Sequence, residues 1–346
     1  MPAITDTELS AKLKANDIDS LYFFYGKEFF LLKRAVDAIV KKTVSDDMKT
    51  FNFQKFDAEK TPADDIADAV YALPMMSDKK CVLVNNLNVS KISPNEHEKI
   101  KQIIADVPDT TVLIFAIPAI EIQMKKEAKW KSFSTIISKH GTSCEFVQKD
   151  RGQLSKLLVS RAKKRGSTLT SANALALVDR VGNNLGILYN ELDKLCDYLQ
   201  DGEILLTHIE QCTTPSIEAT SFDFAKAVVR KDFDRAFLIL DELLYQKIKP
   251  IAILGAINSS FIDLYRAYHG RVSRKTNPEI VTDFGYPKNV AFRVQNASRD
   301  SSRLTAPQLR HYIKVLYETD ILLKTTSIDG QIALEQLMGK LRLPVH

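Results

Sequence analysis

The chain has 346 residues, 45% of them hydrophobic, which is enough to build two or three domains with buried cores. A formal net charge of +5 permits a nucleic-acid or acidic-protein partner without requiring one. A polar, acidic N-terminus, cysteines without a CxxC pair (Cys81, Cys144, Cys196, Cys212) and no apolar run near the roughly 20 residues that span a bilayer argue against export, disulfides, zinc and a membrane. The expectation is a soluble, cytoplasmic protein with reduced thiols.

Residues 20–25, SLYFFY, read as an aromatic strand; Gly26 follows, and helical apolar spacing runs over 28–40. Strand, glycine, helix is where a phosphate-binding loop sits in an α/β domain. This one, YGKEFFLLKRAV, lacks the second glycine and the Lys-Ser/Thr pair, so neither the backbone cradle nor the magnesium hydroxyl is supplied, and Lys27 alone carries little. Residues 51–57 alternate as a second strand, with Phe51 and Phe53 on one face. Thr61 then caps a helix with Pro62 at its first position and Asp64 and Asp65 in its first turn. Ile66, Ala69, Val70 and Leu73 share one face of it, and Pro74 stops it near Leu73. Met75 and Met76 are left between the helix end and the polar turn 77–80, before a buried strand over 81–84. The adjacent methionines are either a core plug, which composition favours, or a protruding contact of the adaptable kind methionine supplies.

A helix over 95–107, the apolar strand 110–117, a basic helix over 124–139 and a strand near 143–147 complete an alternation that predicts a parallel sheet covered on both faces. In an NTPase, acidic residues follow an apolar strand to hold magnesium. Here 81–84 is followed by Asn85 and Asn86, and 110–117 by Pro118. The sheet has an ATPase layout without its chemistry.

Composition changes near Asp150. Lys149, Arg151, Lys156, Arg161, Lys163, Lys164 and Arg165 crowd one helix, whose Leu154, Leu157 and Leu158 are helically spaced. A solvated face and a contact with phosphates or an acidic neighbour are both open. Thr170 caps a second helix that Gly182 ends, and Leu185, Leu188, Leu192, Leu195 and Leu199 line a third; these make a small helical domain closed by the linker 213–219. Further helices are expected over 221–230, 233–246, 250–269, 287–298, 307–325 and 330–341. Among them Arg271, Arg274, Lys275, Lys288, Arg293, Arg299, Arg303 and Arg310 recur with Tyr268, Tyr286 and Phe292 between, as a nucleic-acid surface or as ordinary surface charge. The histidines share no motif with a cysteine or a spaced carboxylate, so no covalent or acid–base site is expected.

In this order, FYGKEFFLLKRAV, VYALPMMSDKKCVLVNN, TTVLIFAIPA, VGNNLGILYNELDKL and FAKAVVRKDFDRAFLILDELLYQKIKPIAILGAI resemble the delta subunit of the bacterial DNA polymerase III clamp loader, over essentially the whole chain. The resemblance implies an AAA+-like α/β parallel-sheet domain (1–149) that does not hydrolyse ATP, a small helical lid domain (150–214) and an all-α collar domain (215–346). The collar would assemble with the gamma/tau motor subunits and delta prime. The resemblance also implies a non-catalytic subunit of a DNA polymerase holoenzyme, without cofactor or metal, that binds and opens the ring-shaped sliding clamp (the beta subunit) for loading on primer-template DNA. The helix end that inserts an apolar pair into the clamp falls on Met75 and Met76, with Leu73 beside it, where the family usually has leucine and phenylalanine. Lys156, Arg161, Lys163, Lys164, Arg165, Arg271, Arg274 and Lys275 are candidates for contact with DNA or with neighbouring subunits. An active AAA+ ATPase or helicase loader, and a helical adaptor unconnected with replication, are the alternative readings.

Overall fold

Near-continuous apolar strands cannot leave a face in water, and amphipathic helices supply the cover. In the computed structural model, which describes residues 4–118, 122, 127–287 and 291–343, the chain forms two compact units, Met1–Gln148 and Lys149–His346. The first runs α1 (Asp6–Lys14), β1 (Leu21–Tyr25), α2 (Phe29–Thr43), α3 (Lys49–Asn52), β2 (Phe53–Asp57), α4 (Ala63–Tyr71), β3 (Lys80–Asn85), α5 (Pro94–Ala105), β4 (Thr111–Ile117), α6 (Ala128–His140) and β5 (Thr142–Glu145). Its strands pair in parallel in the order β2-β3-β4-β1-β5. Phe23 lies opposite Phe115 on one side and Ser143 on the other, which fixes the register at the centre.

Alternate residues of each strand enter different cores. Leu21, Phe23, Val82, Val84, Leu113 and Phe115 pack with the inward faces of α4, α5 and α6, including Ile66, Ile103, Trp130 and Phe133. Tyr22, Phe24, Cys81, Val112 and Ile114 pack on the other side with Leu9 and Leu13 of α1 and Leu32, Val36 and Ile39 of α2. The expected two-sided sheet is therefore present. Two local expectations fail. Phe51 belongs to the short helix α3, not to a strand, and is exposed, because the alternating stretch starts pairing only at Phe53. The helix expected to be capped by Thr61 begins at Ala63, with Pro62 in the cap position and no side-chain cap.

The second unit is helical: α7 (Arg151–Lys164), α8 (Ser171–Val181), α9 (Leu185–Leu199), α10 (Leu206–Cys212), α11 (Ile217–Val229), α12 (Phe233–Tyr245), α13 (Pro250–Val272), α14 (Asn277–Asp283), α15 (Phe292–Ser301), α16 (Ala306–Thr325) and α17 (Gly330–Arg342). Side-chain caps fix many starts: Asp150 with Gln153, Thr170, Asn184, Ser216, and Thr305 with Gln308. Helices α11–α13 and α15–α17 share one core in which Phe261 of α13 meets the Tyr312 ring of α16 edge-on at 5.5 Å. The helices α1, α10 and α14 were not anticipated; α10 and α14 are seven-residue elements too short to display a full apolar repeat. Met124, where the basic helix was expected to begin, and the basic candidate Lys288 lie outside the described residues.

Candidate functional site

The end of α4 is made by side chains from other elements. Ile66, Ala69 and Val70 are buried against the sheet, which fixes the helix axis. Its last carbonyls would be orphaned where the chain turns away. The Lys80 ammonium donates to the Ala69 carbonyl, and Thr111 Oγ1 donates to the Val70 carbonyl at 3.0 Å. A cation suits this end of the helix dipole, although burial pulls the Lys80 amine below the ordinary lysine range. Ala72 already has extended backbone, with ψ 146°, and Pro74 rules out a further turn.

The segment beyond this helix end faces water. Leu73 is 84% exposed, Met75 52% and Met76 91%. Met76 also holds a left-handed backbone, φ +46°, which a side chain rarely adopts. Asn52, only 1% exposed, grips this segment: Met75 N–H donates to its Oδ1 at 2.7 Å, and its Nδ2 donates to the Met75 carbonyl at 2.8 Å. The apolar tip is thus displayed from a tied backbone. The core-plug reading that composition favours is not what the structure has.

The turn between β1 and α2 is closed rather than open. Gly26 takes φ +120°, and a Cβ there would stand 2.3 Å from the Phe146 carbonyl oxygen. The Glu28 N–H, at the start of α2, donates to that same oxygen at 2.9 Å, and Phe146 N–H donates to Tyr25 O at 2.7 Å. A phosphate cradle needs such amides directed at the ligand. Beyond β3, the Asn86 N–H donates to Ala116 O at 3.1 Å and its Nδ2 to Asp57 Oδ1 at 3.3 Å. Among the described residues no group of three His, Cys, Asp or Glu is placed to hold a metal, and no helix is long and apolar enough to cross a membrane.

The family model for the DNA polymerase III delta subunit matches residues 22–145, and that for the C-terminal domain of the DNA polymerase III delta subunit matches residues 218–341. The chain belongs to the DNA polymerase III delta subunit family. DNA polymerase III subunit delta from Bacillus subtilis is 26% identical over 337 residues, covering 95% of this chain and 94% of that protein. The Escherichia coli subunit is 25% identical over 199 residues, 57% of this chain and 56% of that one. In fold, the chain is similar to the solved Bacillus subtilis DNA clamp loader delta protein, with a TM-score of 0.67 at 24% identity, covering 97% and 99% of the two chains. The parallel sheet domain followed by helical elements agrees with that likeness in fold.

In this delta-family chain the basic candidates are scattered in role. Arg161 forms a two-pronged pair with Asp193 of α9, its Nε donating at 2.8 Å, and lies 4.3 Å over the Tyr189 ring. Arg165 bonds Asp197, and Arg151 pairs with Asp179 at 2.7 Å. These arginines bind the helices of their own unit together, whereas Lys156, Lys163 and Lys164 are exposed. Arg271 lies 5.5 Å from the Tyr268 ring and donates to the Ser301 carbonyl; Lys275 pairs with Asp283; Arg274 is exposed with φ +58°. Sequence reasoning missed Asn52, Lys80 and Thr111. Asn52 and Thr111 are far from the tip in sequence, and Lys80 reads as part of the polar turn 77–80.

Proposed function

We propose that this chain binds and opens the sliding clamp for loading on primer-template DNA, and that it does so without hydrolysing ATP. The observation that carries the reading is the apolar tip Leu73, Met75 and Met76, held out into solvent on a tied backbone. Burying three such side chains in an apolar pocket yields roughly 1.5–3 kcal/mol each, before the cost of association. The spent amide of Glu28 and the neutral Asn85 and Asn86 support a protein that supplies docking while ATP acts elsewhere in the assembly. On this reading residues 1–149 carry the clamp-binding element, 150–214 are the lid and 215–346 the collar that joins the gamma/tau and delta prime subunits in the cytoplasm. Lys156, Lys163, Lys164 and Arg274 keep their place as candidate contacts for DNA or neighbours.

Binding of the purified chain to the immobilised sliding clamp of the same organism tests the proposal. Wild type binds, and Met75→Ser with Met76→Ser loses about tenfold or more, the worth of one well-buried apolar side chain. Equal binding by both, or ATP hydrolysis by the chain alone, would sink it.

A further inference from the structure

We infer that Asn52 is the positioning residue of the clamp-binding tip, an inference that rests on the docking role proposed for Leu73, Met75 and Met76. Asn52 ends α3, 23 positions from Met75, and its side chain is almost wholly buried. Its amide bonds both backbone groups of one residue, Met75, at 2.7 and 2.8 Å. That is the two-bond exchange of a hydrogen-bonded antiparallel pair, made here by a side chain in place of a strand. It fixes the peptide planes on both sides of Met75, and hence the direction in which the next residue, Met76, leaves.

An asparagine is a costly way merely to fill space. Its amide needs partners when buried, and leucine of similar size would fill the same volume without that requirement. The exchange also has a polarity that only an amide meets. Oδ1 accepts from the N–H while Nδ2 donates to the carbonyl, and a carboxylate would set an acceptor against an acceptor. The strained left-handed Met76 comes directly after, and a conformation of that kind persists only where the surroundings over-determine it. A tip ordered before docking loses less conformational entropy when it binds.

The test compares clamp affinity and stability for wild type, Asn52→Ala and Ile137→Val, the last a core change in α6, which packs on β1 and β5. Amide exchange at Met75 is followed in the absence of clamp. For Asn52→Ala we expect about a tenfold loss of clamp affinity, the scale of the hydrogen bonds removed, and faster exchange at Met75 while β3 and β4 stay protected. Ile137→Val keeps wild-type affinity despite its lower stability. The inference is overturned if Asn52→Ala binds as wild type, or if Ile137→Val loses affinity in the same proportion to its stability. Should wild type bind and the double serine variant fail while Asn52→Ala is unaffected, the docking role stands and the positioning role falls. If wild type does not bind the clamp at all, the docking reading is lost and this inference goes with it.

Discussion

Cys81 lies in β3, fully buried on the face covered by α1 and α2, and burial pushes its thiol from an ordinary 9.0 to about 12. Unfolding exposes a thiol that ionises at its ordinary value, so above pH 9 the folded state holds the extra proton and stability falls as pH rises. The stability gap between wild type and Cys81→Ala should therefore narrow by about 1 kcal/mol between pH 8 and pH 10, measured by urea unfolding. A gap unchanged over that range would contradict the burial argument. At this scale the sequence was legible in part. Pro74 marked a helix end beside Leu73, Met75 and Met76, but composition favoured burying the methionines, which stand exposed. Asn52 could not be picked out, since FNFQKFD alternates like a strand throughout and the partner of its amide lies 23 residues away.

Among the elements, the turn between β1 and α2 is the most telling. Its glycine could be read as the remnant of a phosphate loop, and its missing partners argued against nucleotide. No local pattern could reveal that the chain after β5 returns to this turn, so that the Phe146 main chain occupies the space beside Gly26. Gly26→Ala sets a Cβ against that carbonyl and forces a left-handed φ on alanine. Thermal unfolding should record a loss of about 3 kcal/mol or more, with the helix content of the remaining native state unchanged. A near-neutral Gly26→Ala would mean that the contact between the turn and Phe146 opens readily. Helices with strong caps and a full apolar repeat, such as α8, α9 and α16, were legible to within a few residues. The crowded charge of α7 was ambiguous, because whether an arginine meets solvent or Asp193 depends on how α7 and α9 pack.

For the molecule as a whole, the apolar periods of 2 and 3.6 were enough to anticipate a parallel sheet followed by helices, since they reflect which faces must leave water. Thiol accessibility gives a global check: Cys81, Cys144 and Cys196 are buried and Cys212 is half-buried. An aromatic disulfide reagent should titrate Cys212 first in the native protein and reach the other three only in denaturant. More than one rapidly reacting thiol would place one of the cores closer to solvent than described. The strand order has a consequence for synthesis. The first strand to leave the ribosome, β1, pairs with β4 and β5, the last two strands of its sheet to be made. Until residue 117 emerges, Leu21–Tyr25 has no neighbour in the sheet, and five consecutive apolar and aromatic side chains stay available to other nascent chains for seconds at ordinary elongation rates. The N-terminal unit is thus exposed to aggregation while it is being translated, however stable it becomes, and its yield in a cell depends on what shelters that strand in the interval.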